Sequence, residues 1–255
     1  MGLFDRIFRK QPEQDPKGFY IIRYHFGEKE AANLFRRANE GDVDAQMKLA
    51  DTFYESSNHR YAFEWYEKAA ARNNSDAYHK ISLYYDGLFT DIEVDPAKAA
   101  EAREKALALN NVDAILWMGE KYENGKGVNK DPRRSFAYYK KAADLGSKEG
   151  MAELGRCYSD GIGVEPDEKK AFEWYVRSDD PYKGYYEVAQ CYMHGKGTEP
   201  DMQKAAAYLE KVVEANCFIP GRARRELLKL YRLGYGTGDI HSKLRVLEEK
   251  EEKSN

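Results

Sequence analysis

Small, aliphatic and aromatic residues recur at fixed offsets along the chain. Each copy opens on a small residue, followed four positions later by an aliphatic residue and eight positions later by an aromatic one. In chain order the three sets are Ala45, Ala77, Ala114, Gly150, Gly184 and Ala223; Leu49, Ile81, Met118, Leu154, Val188 and Leu227; and Phe53, Tyr85, Tyr122, Tyr158, Tyr192 and Tyr231. Offsets of four and eight share one face of an α-helix, so the pattern predicts a series of amphipathic helices, here called helices A.

A second pattern follows helix A and reads small, aromatic, aromatic, small at offsets zero, three, four and seven. The full copies are Ala62, Trp65, Tyr66, Ala69; Ser135, Tyr138, Tyr139, Ala142; and Ala171, Trp174, Tyr175, Ser178. These offsets also mark one face of a helix, here called helix B. Because the whole unit recurs with a period in the thirties, the chain is predicted to be an array of stacked helix pairs.

Glycine and aspartate mark the turns between helix A and helix B. Gly-x-Gly occurs as the pairs Gly125 and Gly127, Gly161 and Gly163, Gly195 and Gly197, and Gly234 and Gly236. A glycine there can take the left-handed conformation that ends a helix. Asp95, Asp131, Asp167 and Asp201 are predicted to cap the first turn of the following helix B, with Pro96 and Pro132 at its first position.

Two copies depart from this turn. The first has no Gly-x-Gly, and a tighter turn with Asn58 as the cap of helix B is expected. The second replaces the turn with the apolar segment 87–94, which either forms a contact site or folds back on the repeat.

The combined pattern, A-x-x-x-L-G-x-x-Y-x-x-G-x-G-V, then Asp, then K-A-x-x-W-Y-x-K-A-A, resembles the Sel-one-like repeat family, which is related to the tetratricopeptide repeats. Segments 113–149 and 149–178 match best, and the resemblance covers roughly residues 30–247. It implies an all-α, right-handed α/α solenoid of about six helix-turn-helix repeats starting near 45, 77, 114, 150, 184 and 223. A partial repeat over 19–44 precedes them within a solenoid of residues 19–247, between a flexible segment 1–18 and a charged tail 248–255.

Composition narrows the class of function. With 44 acidic against 41 basic residues, the net charge of −3 gives no electrostatic reason to expect nucleic acid or an anionic membrane. No run is apolar enough for stable membrane insertion, and Asp5 and Arg6 interrupt any secretory signal. Three cysteines, Cys157, Cys191 and Cys217, make no disulfide framework, so a cytoplasmic location is expected.

Catalytic chemistry is not indicated. The five histidines show no metal-ligand spacing, and the Gly-Lys-Gly segments at 125–127 and 195–197 lack the context of a phosphate loop. A hydrolase of the penicillin-binding type is the enzymatic alternative, but the chain lacks S-x-x-K, S-D-N and K-T-G. No cofactor, no metal and no enzymatic activity are expected.

The predicted function is that of a scaffold or adaptor in a bacterial cell. By analogy with tetratricopeptide-like stacks, helix A positions outside the core line a concave surface that binds a peptide or protein. These candidate residues are Met47, Asp51, Tyr54, His79, Leu83, Leu116, Glu120, Glu123, Arg156, Ser159, Tyr186, Gln190 and Met193. The alternative is a bacterial immunity or effector-regulating protein that neutralises a cognate toxin. A monomer or weak homodimer is expected.

Overall fold

The computed structural model describes residues 16–215 and 220–252, and within these ranges the chain forms fourteen α-helices and no strand. In chain order they are α1 (Pro16–Phe26), α2 (Glu28–Asn39), α3 (Val43–Glu55), α4 (His59–Ala70), α5 (Ser75–Tyr85), α6 (Pro96–Ala108), α7 (Val112–Asn124), α8 (Pro132–Asp144), α9 (Lys148–Asp160), α10 (Glu168–Ser178), α11 (Gly184–His194), α12 (Met202–Glu214), α13 (Pro220–Arg232) and α14 (Ile240–Glu252). The predicted all-α repeat fold is confirmed.

From α3 onward, helices A and helices B alternate. The odd-numbered helices from α3 to α13 are helices A and the even-numbered helices from α4 to α14 are helices B, and α1 and α2 form an additional pair before them. The predictions for residues 1–15, for Cys217 and for residues 253–255 lie outside the described part of the chain.

The chain divides into two compact units between Ala114 and Ile115. In the first unit, side chains from successive helices form one apolar core, with Ile22, Leu34, Leu49, Phe53 and Tyr66 fully buried. In the second unit, one cluster of buried residues joins α11 to α14, and a smaller cluster joins α10 to α11. The predicted small, aliphatic and aromatic positions supply most of these contacts, as a periodic helical face should.

In α8 and α10, the first two helices B of the second unit, the second aromatic residue lies deeper than the first. Tyr139 and Tyr175 are buried, whereas Tyr138 and Trp174 stay half-exposed. A methyl group on Gly119 would lie 2.6 Å from the Tyr139 ring, and one on Gly155 would lie 2.7 Å from the Tyr175 ring. Gly119 and Gly155 directly follow the aliphatic position of helix A. The absence of a side chain there therefore leaves the space that the helix B ring occupies.

The second glycine of the turn makes a close contact of its own. Gly163 has φ of 69°, and a Cβ there would lie 2.1 Å from the carbonyl oxygen of Pro132, at the start of the preceding helix B. Gly197 meets the carbonyl oxygen of Glu168 at the same 2.1 Å. The glycine turn thus ends helix A and also lets the backbones of successive repeats touch.

The predicted aspartate caps are confirmed. The side chains of Asp95, Asp131, Asp167 and Asp201 each accept a hydrogen bond from a backbone amide three residues later, at 2.9 to 3.1 Å. Asn58 stands at the cap position of α4, but the prediction that it caps was wrong, because its side-chain amide donates to the carbonyl oxygen of Ser56 instead.

The segment 87–94 folds back in part. Phe89 stacks on His59 with ring centroids 3.9 Å apart and contacts Tyr84, and both Phe89 and Ile92 pack against the core of the first unit. Leu88 and Val94 remain 57% and 58% exposed. Phe89 and Ile92 therefore fold back on the repeat, whereas Leu88 and Val94 lie at the surface.

Replacing the second turn glycine by alanine should reveal the contact between successive repeats. Gly127→Ala tests backbone strain alone, since its φ is 76° and nothing lies within 4 Å of the added methyl. We expect it to lower the free energy of unfolding by about 1–2 kcal/mol. Gly163→Ala adds overlap with a backbone oxygen that cannot rotate away, so a loss of at least about 3 kcal/mol is expected. Urea denaturation followed by circular dichroism measures both, and equal losses would contradict the contact.

The caps should give the protein a defined sensitivity to acid. The backbone amide and then the side chain of Lys170 lower the pKa of Asp167 below its usual value. Because the folded pKa is the lower one, the stabilisation is complete above the usual aspartate pKa of about 3.9 and is lost as pH falls through the folded value.

Denaturation of three proteins at several pH values tests this. We expect Asp167→Ala to be less stable than wild type at pH 7, with the difference shrinking as the solution is acidified. Asp167→Asn keeps an accepting oxygen without the charge, so its advantage over the alanine variant should not change with pH. A wild-type advantage over Asp167→Ala that persisted undiminished through the acid range would be incompatible with the carboxylate cap.

Candidate protein-binding surface

The thirteen residues predicted to bind a partner occupy three positions of helix A, two, six and nine residues after the small residue that opens each repeat. We call this set the helix-A surface. The first unit contributes Met47, Asp51, Tyr54, His79 and Leu83. The second contributes Leu116, Glu120, Glu123, Arg156, Ser159, Tyr186, Gln190 and Met193.

In the first unit, two members have structural roles. His79 is only 7% exposed, and burial lowers the pKa of its imidazole. Asp51 accepts a hydrogen bond of 2.7 Å from the hydroxyl of the buried Tyr66, whose pKa is raised by burial. Met47, Tyr54 and Leu83 are left half-exposed. The prediction that His79 lies on an accessible surface was wrong, because packing encloses its ring.

Two members of the helix-A surface, Met47 and Asp51, line a broad depression in this unit. Its wall carries four acidic residues and one lysine, and Lys48 lies 4.5 Å from the centre of the Phe26 ring. The acidic residues are Asp44, Asp51, Glu55 and Asp76. The depression thus combines negative charge with the apolar side chain of Met47.

In the second unit, Glu123 and Arg156 bind each other. The guanidinium of Arg156 donates two hydrogen bonds to the Glu123 carboxylate, at 2.8 and 2.7 Å, and the hydroxyl of Tyr139 donates a third at 2.9 Å. This contact with Arg156 lowers the pKa of Glu123. The pair connects α7 to α9 across the repeat boundary, so its charges are already engaged within the protein.

Three other members also make contacts inside the second unit. Tyr186 is 5% exposed, and its hydroxyl donates to Glu226 at 3.0 Å. Gln190 donates to the same carboxylate at 2.6 Å, and Ser159 is hydrogen-bonded to Tyr175. The expected exposure of Tyr186 was wrong, because its ring packs in the core of α11 to α14. Leu116 and Met193 are half-buried, and Glu120 is exposed.

A cleft in the second unit lies beside residues that the sequence prediction did not select. Glu187, Lys183 and the exposed Tyr182 line it together with Arg156 and Tyr186 of the helix-A surface. The signal in the sequence is a glutamate three positions after the opening small residue in three successive repeats, at Glu153, Glu187 and Glu226. The repeat pattern assigns that position neither to the core nor to the binding surface.

Cys157 and Cys191 are the cysteines of the described ranges, and both are buried. Burial raises the pKa of Cys157 to about 12 and that of Cys191 to about 11, so both thiols stay protonated, as expected of small packed side chains. No group of three or more His, Cys, Asp or Glu residues suited to a metal ion occurs between residues 16 and 215 or 220 and 252. Over the same ranges, no helix has the length and hydropathy needed to span a membrane.

Comparison with solved structures shows what this fold is similar to. A Sel1 repeat protein from Oxalobacter formigenes superimposes with a TM-score of 0.72 at 23% identity, over 94% of this chain and 99% of that one. A protective antigen present in uropathogenic Escherichia coli strains, which displays an SLR fold, gives a TM-score of 0.66 at 22% identity. That match covers 91% of this chain and 56% of the antigen. Identities this low show a shared fold.

Comparison of sequences shows the family. No curated protein sequence matches the chain. The family model described as Sel1 repeat matches five times, at residues 43–74, 75–101, 112–147, 148–178 and 183–217, which together make up more than half of the chain. The chain therefore belongs to the Sel1 repeat family.

Proposed function

We propose that this protein is a non-catalytic bacterial adaptor that binds a peptide or protein partner through the exposed part of its helix-A surface. Sel1 repeats generally mediate protein interactions. The observation that carries the proposal is that apolar side chains remain half-exposed on helices A in both units: Met47, Leu83, Leu116 and Met193. Methionine and leucine at such positions bury additional apolar area when a partner covers them.

Contacts within the protein decide which members of the helix-A surface remain available. Asp51, Glu123, Arg156 and Gln190 already satisfy other side chains, so a partner that displaced those bonds would leave polar groups unpaired. The half-exposed apolar residues carry no such cost. They are the residues on which we expect affinity to depend, with Glu120 contributing charge at the edge.

The segment 87–94 provides a second contact in the first unit. Leu88 and Val94 are exposed, while Phe89 anchors the segment against Tyr54 and His59. An anchored segment that presents apolar side chains loses little conformational entropy on binding. We therefore include Leu88 and Val94 in the proposed partner-binding residues.

A cytoplasmic monomer or weak homodimer is the form in which we expect the adaptor to act. Neutralisation of one cognate toxin would be a special case of the same binding activity. Identification of the captured partner separates that case from a general adaptor, because a toxin would be recovered as a single dominant partner.

Affinity capture from the native cell tests the surface. The binding variants are Met47→Gln with Leu83→Gln in the first unit and Leu116→Gln with Met193→Gln in the second. Leu145→Gln with Val176→Gln is the matched control, because these exposed apolar residues lie at the ends of helices B. Tyr186 is left intact, since truncating a buried ring would create a cavity.

We expect at least one binding variant to recover about tenfold less of a specific partner, the change that about 1.4 kcal/mol of lost contact energy produces. The control should recover as much as wild type, with recovery quantified by mass spectrometry. Unfolding midpoints of all variants confirm that the proteins compared are folded. Equal recovery of every partner by all proteins would exclude the helix-A surface as the binding site.

A further inference from the structure

The cleft beside α11 contains one carboxylate without a partner among the residues the structure describes. Its charged lining residues are Glu153, Arg156, Lys183 and Glu187. Lys183 pairs with Glu153 at 2.6 Å, and Arg156 pairs with Glu153 at 2.8 Å. No hydrogen bond or ion pair to another described side chain engages Glu187.

The pair formed by Lys183 and Glu153 shows how a cation can match a glutamate at this position. Lys183 directly precedes the small residue that opens its repeat, and it reaches back to Glu153, the glutamate of the preceding repeat. The corresponding pair one repeat later would join Arg222 to Glu187. Instead, Arg222 lies 3.5 Å from Glu226 on its own helix and 5.3 Å from the centre of the Tyr186 ring.

The electrostatic state of Glu187 agrees with a missing cation. Burial, followed by the charge of Asp160, raises the pKa of its carboxyl above the usual value, and the charges of Arg222 and Lys196 offset this only in part. A cation brought directly against the carboxylate would favour its charged form and would gain a partly desolvated ion pair.

The rim of the cleft suits a long side chain that ends in a cation. Tyr182 is 60% exposed at the opening, held by backbone amides of Tyr182 and Lys183 that donate to the Asp180 side chain. Tyrosine rings contact the methylenes of a lysine or arginine and attract the charged end through their π faces.

Charge is also distributed unequally between the two kinds of helix. The helices A from α3 to α11 carry eleven acidic and five basic side chains. The helices B from α4 to α12 carry nine acidic and fourteen basic side chains. The acidic excess is confined to the helices A from α3 to α11, because α13 carries one acidic and five basic side chains.

We propose that this cleft takes one lysine or arginine side chain of a partner polypeptide, with the cationic end against Glu187 and the methylenes against Tyr182. The inference rests on the proposed function, because it assigns the chemistry of the partner that the helix-A surface binds. It specifies that the partner residue at this point is basic rather than acidic or apolar.

Nuclear magnetic resonance of the full-length, ¹⁵N-labelled protein tests the cleft without knowledge of the partner. The probes are N-acetyl-lysine methylamide and N-acetyl-arginine methylamide, with N-acetyl-norleucine methylamide as the uncharged control, titrated at low ionic strength because salt screens the pair. We expect a cationic probe to shift the amide signals around Tyr182 and Glu187 in a saturable manner, and the norleucine compound to leave them unchanged.

Two variants connect the binding to the carboxylate. Glu187→Gln should weaken binding of the cationic probe at least fivefold, whereas Glu173→Gln, on the exposed side of α10, should bind as wild type does. Removing a partly desolvated charge should leave the unfolding midpoint of Glu187→Gln no lower than that of wild type. Equal shifts with the norleucine compound, or unchanged binding by Glu187→Gln, would overturn the proposal.

The two experiments can overturn either proposal without overturning the other. If the cationic probes bind through Glu187 but capture does not depend on the helix-A surface, the cation site stands and its assignment to a protein partner is overturned. If capture depends on the helix-A surface but binding of the probes does not depend on Glu187, the adaptor function stands. The proposal that the partner inserts a basic residue is then overturned.

Discussion

A buried tyrosine hydroxyl must keep a hydrogen bond, and much of this repeat is arranged around that requirement. Tyr66, Tyr139 and Tyr175 are the second aromatic residues of their helices B, and all three rings are buried. Their partners lie on helix A of the same repeat: Asp51, Glu123 and Ser159. Because the ring crosses from one helix to the other, it sets both the distance between them and the polar residue that must meet it.

This requirement determines which residues of helix A remain available to a binding partner. A polar residue that satisfies a tyrosine is half-exposed and resembles a surface group, yet removing it would strand a buried hydroxyl. The same holds for Glu226, which accepts hydrogen bonds from Tyr186 and Gln190 of the preceding repeat. Such bonds order one repeat against the next, and the half-exposed apolar residues between them are left without a structural task of this kind.

Sequence periodicity predicted the features that depend on neighbouring residues in the chain. The helical face, the aspartate caps and the left-handed glycines all follow from residues within one or two turns, and the structure contains them. Asn58 shows the limit of such reasoning, because its preceding turn, with Ser57 at φ of 58°, brings the Ser56 carbonyl within reach of its side chain.

The burial of His79 and Tyr186 could not be predicted in this way. Both occupy the same position of helix A as the half-exposed Met47 and Leu116, so the pattern treats the four alike. Their burial depends on side chains from other helices, as when Tyr186 packs in the cluster of α11 to α14. For the same reason, a pair such as Glu123 and Arg156, 33 residues apart, is not specified by either residue alone.

Irregular spacing is what allows one repeat to differ chemically from its neighbours. A perfectly periodic array would repeat every ion pair between successive units and leave no charge unmatched. Here Gly150 and Gly184 are 34 residues apart, whereas Gly184 and Ala223 are 39 apart. Arg222 occupies the position equivalent to Lys183 but pairs with Glu226, and Glu187 lines a cleft together with Tyr182 and Tyr186. The cleft at Glu187 therefore depends on residues that differ between repeats and not on the pattern that the repeats share.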